Sequence, residues 1–182
     1  FATRVVLAMD RDPFLGHHGG SEPGPETEKV RQQRMEVDAA MRLGAIYFNQ
    51  GKFAEAARSF GFVVQREAPA EVRADAIYNA GICFKKESSH DEALKNFGLF
   101  TASFEQDPRH TDVLLQMASI HMAAGRPLKG IETYRKLLDR ADVSDAQKIE
   151  IYAQIGDTYK SMEDKGKAVE SYSKLLALSP LN

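Results

Sequence analysis

The sequence predicts an all-α solenoid of about four antiparallel helix hairpins, preceded by an irregular amino-terminal arm. Three observations carry this. Small residues recur at Gly44, Gly81, Ala118 and Gly156, spaced 37, 37 and 38 residues apart. Each is followed at fixed offsets by matching residue types: Tyr47, Phe84, His121 and Tyr159; then Ala56, Ala93, Gly130 and Ala168; then Phe60, Phe97, Tyr134 and Tyr172; then Val63, Phe100, Leu137 and Leu175. Within each unit the apolar residues fall at helical spacing, interrupted near the middle by turn residues. A glycine inside a helix costs about 0.5–1 kcal/mol relative to alanine. Its recurrence marks a place where two antiparallel helices approach too closely for a larger side chain.

Taken in chain order, residues 13–25 hold seven Gly or Pro among thirteen positions, a composition that sustains neither helix nor strand. From Thr27 the pattern turns helical, and one long helix is expected to Gln50 with Gly44 as its only interruption. Second helices are expected after Gly51, after the stretch Glu87–His90, after Gly125 and around Glu163–Gly166. Ser89 with Glu92, and Ser144 with Gln147, have capping-box spacing. Pro127 suits a first helical turn. Pro69, Pro108 and Pro180 fall at unit boundaries, where proline removes no internal helix hydrogen bond.

Composition bounds the function. A chain of 182 residues with 43% hydrophobic content suffices for one domain or a short repeat array. Lys plus Arg is 24 against 26 for Asp plus Glu, a net charge of -2, which provides no general field to hold nucleic acid or an anionic membrane. The run Val5–Met9 is far short of the roughly 20 apolar residues that span a bilayer, so no direct membrane insertion is expected. Cys83 is the single cysteine and can form neither an internal disulfide nor a multi-cysteine metal site. The start at Phe1 is read as a processed or trimmed end.

The register of these residues resembles the tetratricopeptide repeat family. The shared pattern is small-x-x-aromatic in a first helix, alanine and an aromatic four apart in a second, and a terminal proline, as in "LGAIYFNQGKFAEAARSF" and "IGDTYKSMEDKGKAVESYSKLLALSP". The resemblance covers residues 37–182, with repeats at about 37–70, 74–107, 111–144 and 149–182 inside a domain over 27–182 and an arm and linker over 1–26. It implies a right-handed superhelix and a role in binding protein. Departures are Ala40, Ile77, Leu114 and Tyr152 at the family's usual tryptophan, His121 at an aromatic position and Gly130 at an alanine position. The period exceeds the family's usual 34 and is similar to that of bacterial cell-envelope members, which implies a periplasmic or envelope-associated place, with the cytoplasm as the alternative.

Carried over by register, the family's groove positions are Met41, Arg42, Ala45, Phe48 and Asn49 in the first repeat and Tyr78, Asn79, Ile82, Lys85 and Lys86 in the second. Leu115, Gln116, Ser119 and Met122 follow in the third, and Ala153, Gln154, Asp157 and Lys160 in the fourth. Met41, Ala45 and Leu115 replace polar members of the family's carboxylate clamp, so capture of a chain-end carboxylate is not expected. Met41, Phe48, Tyr78, Ile82, Leu115 and Met122 with amides between them suit an amphipathic helix or an extended peptide, although methionine and aromatic stripes also serve as core. Asp38, Asp75, Asp112 and Glu150 share one register; they are read as complementing the helix dipole near the start of each first helix, or else as attracting a basic segment.

No catalytic residue, metal or cofactor is predicted. His17 and His18 with Asp10 and Asp12 carry ligand chemistry but lie in a Gly-rich stretch that fixes no geometry. Ser88–Glu92 contains the residue types of a hydrolytic triad, yet contiguous residues at a helix start are better read as a turn and cap. Cys83 beside Phe84 reads as a small buried hydrophobe. The expected function is a protein-interaction adaptor or assembly scaffold with a peptide or helix as partner. A self-associating oligomer joined through residues 1–15 and an uncapped last repeat is the alternative.

Overall fold

The computed structural model describes residues 27–179. The predicted arm, with its histidines and aspartates, and Pro180 lie outside the described residues. The described residues form eight helices: α1 (Glu28–Asn49), α2 (Phe53–Val64), α3 (Ala70–Lys86), α4 (His90–Ser103), α5 (His110–Ala123), α6 (Pro127–Leu138), α7 (Asp145–Ser161) and α8 (Lys165–Leu178). No strand occurs among them. The helices pair in chain order as hairpins, α1 with α2, α3 with α4, α5 with α6 and α7 with α8. This is the all-α fold class that the repeats predict. The hairpins group into two compact units, Phe1–Glu105 and Gln106–Asn182.

Each hairpin turns by the same device. Gly51, Ser88, Gly125 and Glu163 have positive φ, at 72°, 58°, 69° and 61°. The residue after each donates its backbone N–H to the carbonyl five residues back: Lys52 to Tyr47 at 2.9 Å, Ser89 to Phe84 at 2.9 Å, Arg126 to His121 at 2.8 Å and Asp164 to Tyr159 at 2.9 Å. The positive-φ residue itself donates three back, as Gly51 does to Phe48 at 3.0 Å. These paired bonds are the Schellman closure of a helix, which satisfies carbonyls that the ended helix leaves over. Two of the four left-handed positions are not glycine, which is why only two of the four breaks stood out as single glycines in the sequence.

The recurring small residue is a packing position. A Cβ added at Gly44 would lie 2.7 Å from the Phe60 ring, at Gly81 2.6 Å from Phe97 and at Gly156 2.6 Å from Tyr172. In each case the obstacle is the aromatic residue sixteen positions on, so the two repeat signals are two sides of one contact. The third hairpin departs. Ala118 takes the small position beneath Tyr134, and the glycine stands instead at Gly130, where Met122 Cε would be 2.6 Å from an added Cβ. Gly130 thus makes room on α6 for a methionine of α5.

In the first unit α3 packs against α2 and against α4. It is buried without a break from Ala76 to Cys83, as a helix apolar on every side must be. One cluster joins Val37, Val63, Val72 and Ala76; another joins Ala56, Ala57, Phe60, Ala80 and Cys83. In the second unit Ala118, Ile131, Tyr134, Leu137, Ile151, Ile155 and Tyr159 form the core. Arg140 and Thr111 share Asp142: Arg140 Nε donates to Oδ1 at 2.8 Å and the Thr111 hydroxyl to Oδ2 at 2.7 Å. These bonds hold the Asp142 carboxyl down at about 2 and tie the start of α5 to the loop after α6.

The caps divide. Thr27 Oγ1 accepts from Val30 N, and Ser144 with Gln147 forms the reciprocal capping box. Ser89 makes no side-chain cap bond, contrary to expectation. Asp164, at the same place in the last hairpin and on nearly the same backbone, with ψ 77° against 75°, does cap, accepting from Lys167 N at 3.1 Å. The turn therefore permits a cap that the longer aspartate side chain makes and Ser89 does not. The acidic row is also corrected. α1, α3 and α7 begin well upstream of Asp38, Asp75 and Glu150, so of that row only Asp112 lies in a first turn; Glu28, Glu71 and Asp145 occupy the others.

Candidate functional site

The residues singled out from the sequence separate by burial. In the first unit Arg42 and Asn49 are exposed, and Met41, Phe48 and Lys85 are half-buried. Arg42 Nε is 2.9 Å from Asp38 Oδ2 one turn earlier. Met41 packs against both clusters of this unit, and the Phe48 ring meets Phe53 edge-on at 5.3 Å. Tyr78, Asn79 and Ile82 are 5%, 0% and 1% exposed. The Tyr78 ring lies 6.3 Å from Phe97 and 6.0 Å from Phe100. These three side chains belong to the interior, and the apolar groove expected on α3 is not open there.

In the second unit Gln154 and Asp157 on α7 are exposed, while Leu115, Gln116 and Met122 on α5 are half-buried. Leu115 and Met122 rest on the core. Met122 Sδ lies 3.8 Å from Thr158 Oγ1, whose proton goes to Gln154 O at 2.6 Å, so it touches α7 as well as filling the space at Gly130. Asp157 Oδ1 accepts from the Tyr172 hydroxyl at 2.7 Å, which raises the Tyr172 pKa. Gln116 Nε2 is 3.4 Å from Asp112 Oδ1. The accessible surface of these first helices is therefore amide and charge with the edges of Leu115 and Met122, more polar than the sequence suggested.

Burial disarms the reactive residue types. Desolvation, then the Glu87 carboxylate, pushes the Cys83 thiol up to about 12, so it stays protonated and is not a nucleophile. Ser88 to Glu92 form the turn and first residues of α4. His121 holds an aromatic position of the repeat, and its Nδ1 is buried with no hydrogen-bond partner among the described residues. Desolvation, then Arg126 and Lys129, lowers its pKa. Among the described residues no cluster of three or more His, Cys, Asp or Glu could hold a metal ion, and no helix is long and apolar enough to cross a membrane.

A second surface was not anticipated. Within the second unit a cleft of about 290 Å³ opens between α6, α7 and α8, lined by Arg135, Leu138, Asp139, Tyr152, Ile155, Tyr159, Lys167, Glu170, Ser171 and Lys174. Arg135 donates to the Tyr159 hydroxyl at 3.2 Å, and the Lys167 ammonium stands 5.3 Å from the centre of the Tyr159 ring. Lys167 is paired with Asp164 and Lys174 with Glu170, each at 2.7 Å, which raises both lysine pKa values. The signal in the sequence was the seven-residue spacing of Lys167 and Lys174 on one face of α8. Charges on a second helix read as a solvated face, so it passed unremarked.

Hairpins of this form define an all-α helical-repeat protein. Its last hairpin matches a family model, the one described as "Tetratricopeptide repeat", over residues 149–180. The chain is similar to the crystal structure of MamA, with a TM-score of 0.62 and 21% identity over 83% of this chain and 83% of that one. A further crystal structure of MamA protein gives 0.59 and 21% over 83% and 78%. At that identity the likeness is one of fold. No curated protein matches the sequence.

Proposed function

We propose that the chain is a non-catalytic protein-interaction adaptor or assembly scaffold that docks a partner peptide or helix on its first helices. The observation that carries this is the match to a tetratricopeptide repeat over 149–180, a hairpin whose first helix leaves Gln154 and Asp157 exposed beside half-buried Leu115, Gln116 and Met122. In the first unit the corresponding positions are Met41, Arg42, Phe48, Asn49 and Lys85. Half-buried apolar edges with amides and charges around them suit a partner that adds a few anchoring side chains. Tyr78, Asn79 and Ile82 take part through packing. A place in the bacterial cell envelope belongs to the same reading, and its support is the repeat period.

A photo-crosslinking residue at Arg42 or Gln154, compared with one at the exposed second-helix positions Arg58 or Lys95, tests this in the native host. Heterologous adducts confined to the first-helix positions are expected. Adducts of equal yield at all four would sink the reading. Adducts only between copies of the chain would favour the second reading, a self-assembling oligomer. Its support is the exposed apolar side chains Met35, Leu43 and Ile46 on α1 and Val169 and Leu176 on α8.

A further inference from the structure

The cleft between α6, α7 and α8 is lined by three cations, Arg135, Lys167 and Lys174. Lys167 and Lys174 are each paired with an acid. Arg135 is not: among the described residues its hydrogen-bond partner is the neutral Tyr159 hydroxyl. A guanidinium offers five N–H donors in a planar fork that matches a carboxylate, and one bond to a phenol leaves most of that capacity unused. The Tyr159 oxygen accepts from Arg135, so its own O–H remains to be donated. Two donor groups on different helices thus sit beside each other, one charged and one neutral.

We propose that this cleft binds the carboxylate of an acidic side chain on a partner protein, with Arg135 and Tyr159 as its donors. Arg135 is the one cation of the lining with no ion-paired acid among the described residues, a single positive charge that suits a monoanion. Asp139 and Glu170 at the same cleft would repel the second charge of a phosphate. Leu138, Ile155 and the Tyr152 ring give the aliphatic stem of a glutamate an apolar wall, and the volume is near the lower end of small-ligand clefts. The site is built from α6, α7 and α8 and uses none of the first-helix positions assigned above. It rests on the adaptor reading only in taking the carboxylate to be a protein's.

The test is a titration of the isotope-labelled full chain with N-acetylglutamate amide, followed by the Arg135 Nε–H and the Tyr159 and Lys167 amide signals. Saturable shifts are expected, weakening by about tenfold in Arg135→Gln and about threefold in Tyr159→Phe, which keeps the ring. Arg135 is exposed, so an unchanged melting temperature in Arg135→Gln is the expected control for folding. Equal shifts with N-acetylglutamine amide, stronger competition by inorganic phosphate, or full binding in Arg135→Gln would each overturn the site. N-acetylalanine, whose carboxylate is that of a chain end, binding more tightly would overturn the side-chain assignment. The titration reads the cleft directly, so a failure of the first-helix crosslinks leaves its outcome unaffected.

Discussion

Gly81 shows what one missing side chain does. The Phe97 ring occupies the space a Cβ would need, at 2.6 Å, and that ring is fully buried, so it has nowhere to swing. Gly81→Ala gains about 1 kcal/mol in helix propensity, but overpacking a filled core costs about 1–3 kcal/mol. A net loss of up to about 2 kcal/mol in denaturant unfolding is expected. Gly156→Ala meets Tyr172 at the same distance, but Tyr172 is half-buried and can move outward. There the net change is expected to stay within about 0.5 kcal/mol. His121 makes a second residue-scale test. Its pKa is lowered in the folded protein, chiefly by burial, so below the ordinary histidine value the unfolded chain binds the proton more readily. Stability is therefore full near pH 7 and is lost as pH falls below about 6.5 towards the folded value. His121→Phe should flatten the melting temperature between about pH 7 and about pH 5 relative to the wild type; equal slopes would show that His121 does not carry the effect.

At the scale of the element, the hairpin turn decides where each first helix stops. The left-handed residue is glycine in two hairpins but Ser88 and Glu163 in the others, and a side chain in that conformation costs about 1–2 kcal/mol. Glycine also gains entropy in the unfolded chain, so Ser88→Gly and Glu163→Gly are each expected to stabilise by about 0.5–1 kcal/mol net. A lower denaturation midpoint in both variants would refute this account of the turn. The helices and their breaks were legible in the sequence because small residue, aromatic and turn recur in fixed register, each answering to one packing contact or one closure. The Ser89 cap was misread because Ser-x-x-Glu states residue types and not whether the side chain reaches the amide; Asp164, on the same backbone, does reach it. The groove on α3 was misread for a related reason. Repeat register places Tyr78, Asn79 and Ile82 alike with their counterparts on other first helices, but it does not record that α3 is packed by α2 and α4 and buried over a continuous run. The cleft at Arg135 escaped because its lining comes from three helices, and the spacing of Lys167 and Lys174 within α8 reports on only one of them.

Across the whole molecule, burial is uneven, and local stability should follow it. α3 buries ten of its residues and α8 only Ala168 and Ser171; Val169 and Leu176 on α8 are 65% and 59% exposed. Opening α8 exposes little apolar surface that is not exposed already, whereas opening α3 uncovers two clusters of the first unit. Native-state amide exchange should therefore be slowest in α3 and fastest, among the helices of the second unit, in α8. Uniform protection over α7 and α8 would mean that the last hairpin opens only as one piece, and the gradient argument would fail. Function follows from the same unevenness. Lys167 and Lys174 reach the cleft from α8, while Arg135 and Tyr159 hold it from α6 and α7. A carboxylate bound there favours the state in which all three helices are docked, by a margin that grows with ligand concentration over its dissociation constant. N-acetylglutamate amide at about tenfold over that constant should slow exchange in α8 by about tenfold, with α3 unchanged. Slowing throughout the chain would instead mark binding that is not local to the cleft.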